Sequence, residues 1–203
     1  NLIRNKVFES LTHEEKEQIL SVSLSSGLVS IPFQEKPFVC QRLANHSGVK
    51  EMMPHSHHVL NLYSNHEFLY KQPEDERSAA CPSIENVPLN YFEFMNIELV
   101  RGSFPKKEGE VAVDANFASL FDEDIIGKTF YRKDPSMAYR VTAIVGNNIS
   151  YNGGRHFNPE TVYTVDEHQI MVDRVYLKCH PGQVETVREH VLAELREIFP
   201  ESV

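Results

Sequence analysis

Between Gln183 and Phe199 the apolar residues Val184, Val187, Val191, Leu192, Leu195 and Ile198 recur in steps of three, four and one. Those steps draw a single stripe along a helix of 3.6 residues per turn. Glu185, Glu189, Glu194 and Glu197 fall mostly off the stripe, and Pro200 ends the pattern. The stripe predicts a helix packed on a sheet or on another helix, with its charged face in water.

Upstream the pattern is shorter and mixed. Thr12 with Glu15 three residues later is a capping box, and it predicts a helix from about His13 to Val22. Gly27 to Pro32 reads as a strand, Pro37 opens a second helix running to about Asn45, and Gly48 stops it. Val49 to Tyr63 leads into a strand region interrupted by Pro54. Residues 71 to 90 hold Pro73, Pro82 and Pro88 around the acidic Glu74-Asp75-Glu76 and read as a loop or a boundary. Helical turns follow at Tyr91 to Met95, then strands at Ile97 to Arg101 and Glu110 to Val113, and a short helix from Ala115 to Phe121. Lys128 to Tyr131, Tyr139 to Val145, Thr161 to Val165 and Arg174 to Cys179 complete the strands, with Asn147 to Pro159 an exposed loop around Gly153-Gly154. Strands gather between 97 and 179 and helices at both ends, without an even βαβα beat. That predicts an α+β fold.

Composition narrows the function classes. The 203 residues are 41% hydrophobic, enough for a packed core without a disulfide or metal staple. The net charge of −9 argues against a sequence-independent grip on nucleic acid or anionic lipid. No apolar run approaches the ~18 residues of a membrane span, and Asn1 to Glu9 lack the apolar stretch of a signal peptide. Cys40, Cys81 and Cys179 show no CxxC spacing; they read as buried hydrophobes, with one disulfide open if the compartment oxidises.

Signatures of catalysis fail one by one. Gly102-Ser103 lacks the second glycine of a nucleophile elbow. His13-Glu14 and His66-Glu67 begin like HExxH, but Glu17 and Tyr70 stand where the second histidine belongs. Gly127-Lys128-Thr129 has Asp122 in place of the leading glycine that lets a phosphate approach the backbone. Asp122, Glu123 and Asp124 are consecutive carboxylates with nothing to separate their pKa values. The one cluster of note is His55, His57 and His58, with His66 nearby. On a strand His55 and His57 share a face and could offer two imidazoles to a metal, with His66 or Glu51 as a third ligand. The spacing matches no ordered metal site, so no catalytic, cofactor-binding or metal-binding residue is assigned.

The order of short motifs is more specific. Leu43 to Glu51 (LANHSGVKE) looks like a helix entering a strand through small-Gly-Val-acidic. Tyr91 to Phe104 resembles a YFxxxxxxLxxGRxF segment, and Gly109 to Phe121 with Ile126-Gly-Lys128 is similar to GEVVLSExxAxxLF…IGK. Tyr139 to Gly146 looks like YxVxGVV, and Val175 to Gly182 precedes a helix ending in Phe199-Pro200. Together these resemble the MacB-like periplasmic core domain of FtsX-type ABC transporter permeases, in its Bacteroidetes-like form. Arg101-Gly102 reverses the usual Gly-Arg order, and the domain's usual first strand has no clear match in residues 1 to 36.

The resemblance implies a porter-like β-α-β subdomain from residues 1–90 and 166–203, with a sabre-like α+β subdomain, 91–165, inserted in it. Inside the insert Phe92, Phe94, Leu99, Phe104, Val111, Val113, Leu120, Phe121, Val141 and Ile144 are expected to be buried. It also implies a non-catalytic periplasmic domain of an inner-membrane protein, relaying ATP-driven motion. Its partners would be a cytoplasmic ABC ATPase and a second permease copy, with a periplasmic adaptor, lipoprotein or peptide as further candidates, and no nucleic acid or cofactor. The competing readings are a free-standing periplasmic binding or adaptor protein, and a hydrolase using His and Asp outside any standard motif.

Overall fold

A computed structural model describes residues 11–26, 29–55, 65–134, 136–146, 160–166 and 172–199. In chain order the first elements are α1 (His13–Glu17), β1 (Ile19–Ser23), β2 (Ser25–Ser26), β3 (Val29–Ser30), α2 (Lys36–Ala44), β4 (Val49–His55) and β5 (Asn65–His66). Then come β6 (Ser83–Pro88), α3 (Tyr91–Phe94), β7 (Leu99–Gly102), β8 (Glu110–Asp114), α4 (Ala115–Ala118) and β9 (Thr129–Tyr131). The chain continues through β10 (Ala138–Val145), β11 (Thr161–Asp166), β12 (Arg174–Cys179) and α5 (Val184–Ile198). The fold is α+β, with a mixed sheet. Its contacts divide it into two compact units, one of Leu11–Val59 with Gln169–Val203, the other of Leu60–His168.

In the first unit β12 lies between β1 and β4, antiparallel to both. One face of this sheet carries Val175, Leu177 and Cys179, which pack with Val39, Cys40 and Leu43 of α2 and Val187 and Val191 of α5. Pro54 lies inside β4, pairing with Val175, where a break was expected. The strand tolerates it because β4 is at the sheet edge, where a missing N–H is no loss. The first helix is shorter than its capping box suggests. Glu15 N–H reaches the Thr12 hydroxyl at 3.2 Å and Thr12 N–H reaches the Glu15 carboxylate at 2.8 Å, but the helix stops at Glu17. Ile19-Leu-Ser-Val-Ser23 alternates and pairs residue for residue with β12, so sheet pairing overrides helix continuation. Thr12→Ala is expected to destabilise by about 1 kcal/mol, read as a lower urea midpoint with an unchanged slope.

The second unit is built on a sheet ordered β5-β6-β11-β8-β10-β7, with β9 also on β10. The pairs β6/β11 and β8/β10 are parallel and the rest antiparallel. Alternation along β8 and β11 splits the apolar residues between the two faces. Val111, Val113 and Val162 pack with Leu69, Phe117, Ile125 and Phe130. Tyr163 faces the other way, where its ring meets those of Phe92 and Tyr91 at 5.8 and 6.0 Å, and Phe104 stacks on Phe92 at 4.8 Å.

Several expectations need correction. The proline-rich stretch contains β6, because Pro82 sits just outside the strand and Pro88 is its last residue. Leu99 and Leu120, expected in the core, are 40% and 48% exposed. All four residues of β7 are exposed at the sheet edge, and Leu120 follows the end of α4. Phe104 and Phe121 are partly buried; the other six are buried. Leu192 is exposed because it lies ~100° around the helix from the centre of the stripe formed by Val184, Val187, Val191, Leu195 and Ile198. The expected loop at 147–159 lies outside the described residues.

Candidate functional site

The residues that could carry chemistry are dispersed. His55 ends β4 and is buried, with the Tyr176 ring edge-on at 6.5 Å. His66 is exposed on β5, in the other unit, and His57 and His58 lie outside the described residues. Glu51 is opposite Lys178 across the β4–β12 pair. Burial lowers the Lys178 pKa, and the carboxylates of Glu51 and Glu15 draw it back up. A lysine between Leu177 and Cys179 in an apolar strand was the available signal for this buried charge. Among the described residues no three His, Cys, Asp or Glu side chains gather around a possible metal position.

Two members of the acidic triplet are paired with cations. Lys128 and Lys71 each lie 3.2 Å from Glu123 and hold its pKa down. Asp124 accepts the Ile126 N–H and pairs with Arg101, which lower its own. These lysines and Glu123 line a groove of about 250 Å³ with Ile125, Phe130 and Tyr131, and the two ion pairs already engage its charged groups. None of the three cysteines is in a disulfide; Cys40 and Cys179 are buried in one core, and burial pushes the Cys40 thiol up to about 12. Thiol titration of the native protein should therefore find Cys81 reacting first, with Cys40 and Cys179 following only in denaturant. Rapid labelling of Cys40 in the native state would contradict this packing.

The best-built feature is the seat of α5. Val187 and Val191 are buried, while Val184, Leu195 and Ile198 are partly buried against the same core. Gly48 is the point of closest approach: a Cβ there would lie 2.8 Å from Val187 Cγ2 and 3.0 Å from Gln183 Cβ. Glu194, expected in water, is instead largely covered and takes the Arg42 guanidinium of α2 at 2.6 Å, while Glu197, exposed as expected, reaches the same group at 3.0 Å. His190 Nε2 donates to the Arg42 carbonyl at 3.2 Å, and its ring lies 5.1 Å from that of His46. A close-packed stripe pinned by charge at one end resists sliding and moves as a rigid piece. Gly48→Ala should push the helix off its seat at a cost of about 1–3 kcal/mol, visible as faster hydrogen exchange along α5.

No family model matches the sequence, and no curated protein matches it either. Solved structures do. The periplasmic region of MacB from Actinobacillus actinomycetemcomitans aligns at 13% identity and TM-score 0.59, over 98% of this chain and 89% of that one. The extracellular domain of the noncanonic ABC-type transporter YknZ from Gram-positive bacteria aligns at 9% and 0.56, over 89% and 93%. This chain shares the MacB periplasmic fold. A domain of a Porphyromonas gingivalis protein assigned as a permease is also similar, at 12% and 0.56 over 76% and 72%. The MacB match extends over both units, including α5 and its seat.

Proposed function

We propose that this chain is the extracytoplasmic domain of an ABC transporter permease, held outside the inner membrane. In this reading it relays ATP-driven movement of membrane helices to a substrate or partner and does no chemistry itself. The observation that carries the reading is the match to the MacB periplasmic region over nearly the whole of both chains. The unit closed by residues 169–203 takes the porter-like role, and the inserted unit takes the sabre-like one. The docked α5 suits a relay, since it is held on its sheet by close packing. The motor would be a cytoplasmic ABC ATPase acting on a pair of permeases, and the cargo a lipoprotein, peptide or periplasmic adaptor.

Sidedness tests this. Phe38 is 62% exposed, so Phe38→Cys combined with Cys81→Ser in the full-length gene product offers one accessible thiol of this domain to a membrane-impermeant maleimide. Labelling in intact spheroplasts, with an ABC ATPase copurifying from the membrane fraction, is the expected result. Labelling only after lysis would exclude an extracytoplasmic domain. Release of the protein by osmotic shock would favour the free-standing binding protein.

A further inference from the structure

Two imidazoles stand where α5 meets its seat. In the turn between α2 and β4 the Gly48 N–H donates to His46 Nδ1 at 3.0 Å. A ring nitrogen that accepts carries no proton, so His46 is neutral in this arrangement, with its hydrogen on Nε2. His190 of α5 holds a proton on Nε2, because the Arg42 carbonyl it meets at 3.2 Å can only accept. The two rings lie 5.1 Å apart, tilted by 37°.

A second proton on His46 has one place to go, Nδ1, where it would point at the Gly48 N–H. Gly48 is buried, so that N–H has no water to turn to once its acceptor is lost. Either the turn opens or the ring swings out, and both disturb the residue on which Val187 packs. The surroundings give the added charge no relief. The Arg42 guanidinium of α2 is engaged by Glu194 and Glu197 of α5, and Glu185 and Arg188 of α5 pair with each other. On β4, Lys50 adds positive charge and Glu51 lies opposite Lys178. Beyond β12, His180 gives its own N–H to the Gly48 carbonyl at 2.8 Å. Among the described residues no carboxylate comes within ion-pair distance of either ring.

We propose that His46 is a proton-operated latch on α5: neutral, it closes the seat through Gly48, and protonated, it loosens it. The sign follows from linkage. The loosened form accepts a proton that the docked form excludes, so acid favours loosening. A proton on His190 works in the same direction, since like charges at that separation repel. What the latch does for transport rests on the relay proposed above, whereas the latch itself is a property of this chain.

Hydrogen exchange along α5 in the 203-residue chain, corrected for intrinsic rates, tests this at about pH 7.5 and about pH 5.5, either side of the range in which imidazole takes up a proton. The amides from Val187 to Val191 should lose about tenfold in protection at the lower pH, while the β8 and β10 amides of the other unit keep theirs. His46→Asn keeps an acceptor for the Gly48 N–H in an Asx turn but takes no proton, and should hold α5 protected at both pH values. If that variant fails to fold, His46→Asp offers the same acceptor and carries the test. Undiminished protection of wild-type α5 at the lower pH overturns the proposal. So does an equal fall in the folded His46 variant, which would place the titrating group elsewhere. Neither result bears on whether the chain belongs to a permease, which the labelling experiment decides.

Discussion

Phe117→Ala should cost about 3–5 kcal/mol, among the largest losses that a single side chain of this protein can cause. Phe117 is fully buried on α4, with the rings of Phe121 and Phe130 at 5.4 and 5.5 Å around it. Deleting the ring removes apolar burial and leaves a cavity under β8 and β10, whose Val113 and Val141 belong to the same cluster. The walls are strands locked in a ladder, so they close only partly over the gap. Phe117→Leu keeps most of the volume and should cost under about 1.5 kcal/mol. Urea unfolding separates the two, through a large fall in midpoint for alanine and a small one for leucine. A loss below ~1 kcal/mol for alanine would mean the aromatic trio is not packed as described.

The second large effect is at Gly102, where φ is +83° and a Cβ would come within 2.1 Å of the Thr142 carbonyl oxygen. That oxygen accepts the Ser103 N–H at 2.9 Å, next to the end of the β7–β10 ladder. Any side chain must push the carbonyl away and break that bond, on top of the left-handed penalty of ~1–2 kcal/mol. Gly102→Ala should therefore cost about 3 kcal/mol, and the Ser103 amide should exchange much faster. Gly109 is the control. Its φ is +82°, but a Cβ there meets nothing nearer than 3.8 Å, so alanine should cost only the backbone penalty. Equal losses at the two positions would remove the steric part of this account.

What the sequence reveals divides along the line between local and non-local forces. The stripe of α5, the capping box at Thr12 and the strand Arg174–Cys179 are legible because periodicity and side-chain caps act within a few residues. β1 is misread as helix because its partner, β12, lies over 150 residues away. β6 is hidden by prolines that flank a strand as readily as they mark a loop. The exposure of Leu99 depends on β7 being the last strand of its sheet, which no property of Leu99 encodes. The candidate site is the least legible part. Gly48 reads as a helix stop, although its lack of a side chain is what lets Val187 approach. Glu194 looks like part of a solvated face until α2 brings Arg42 to it. The motif order from Leu43 onward does point to the fold that the MacB comparison shows.

The relay itself is tested most directly by loosening α5 without unfolding it. Val191 is buried and Leu195 partly so against the core of the first unit, and Val191→Ala with Leu195→Ala should weaken docking by about 3 kcal/mol. In the full-length transporter this double variant should reach the membrane folded and hydrolyse ATP at close to the normal rate. Transport or partner activation should fall about fivefold, the scale on which a disturbed coupling element acts. A folded double variant with full transport would show that the motion does not pass through this helix.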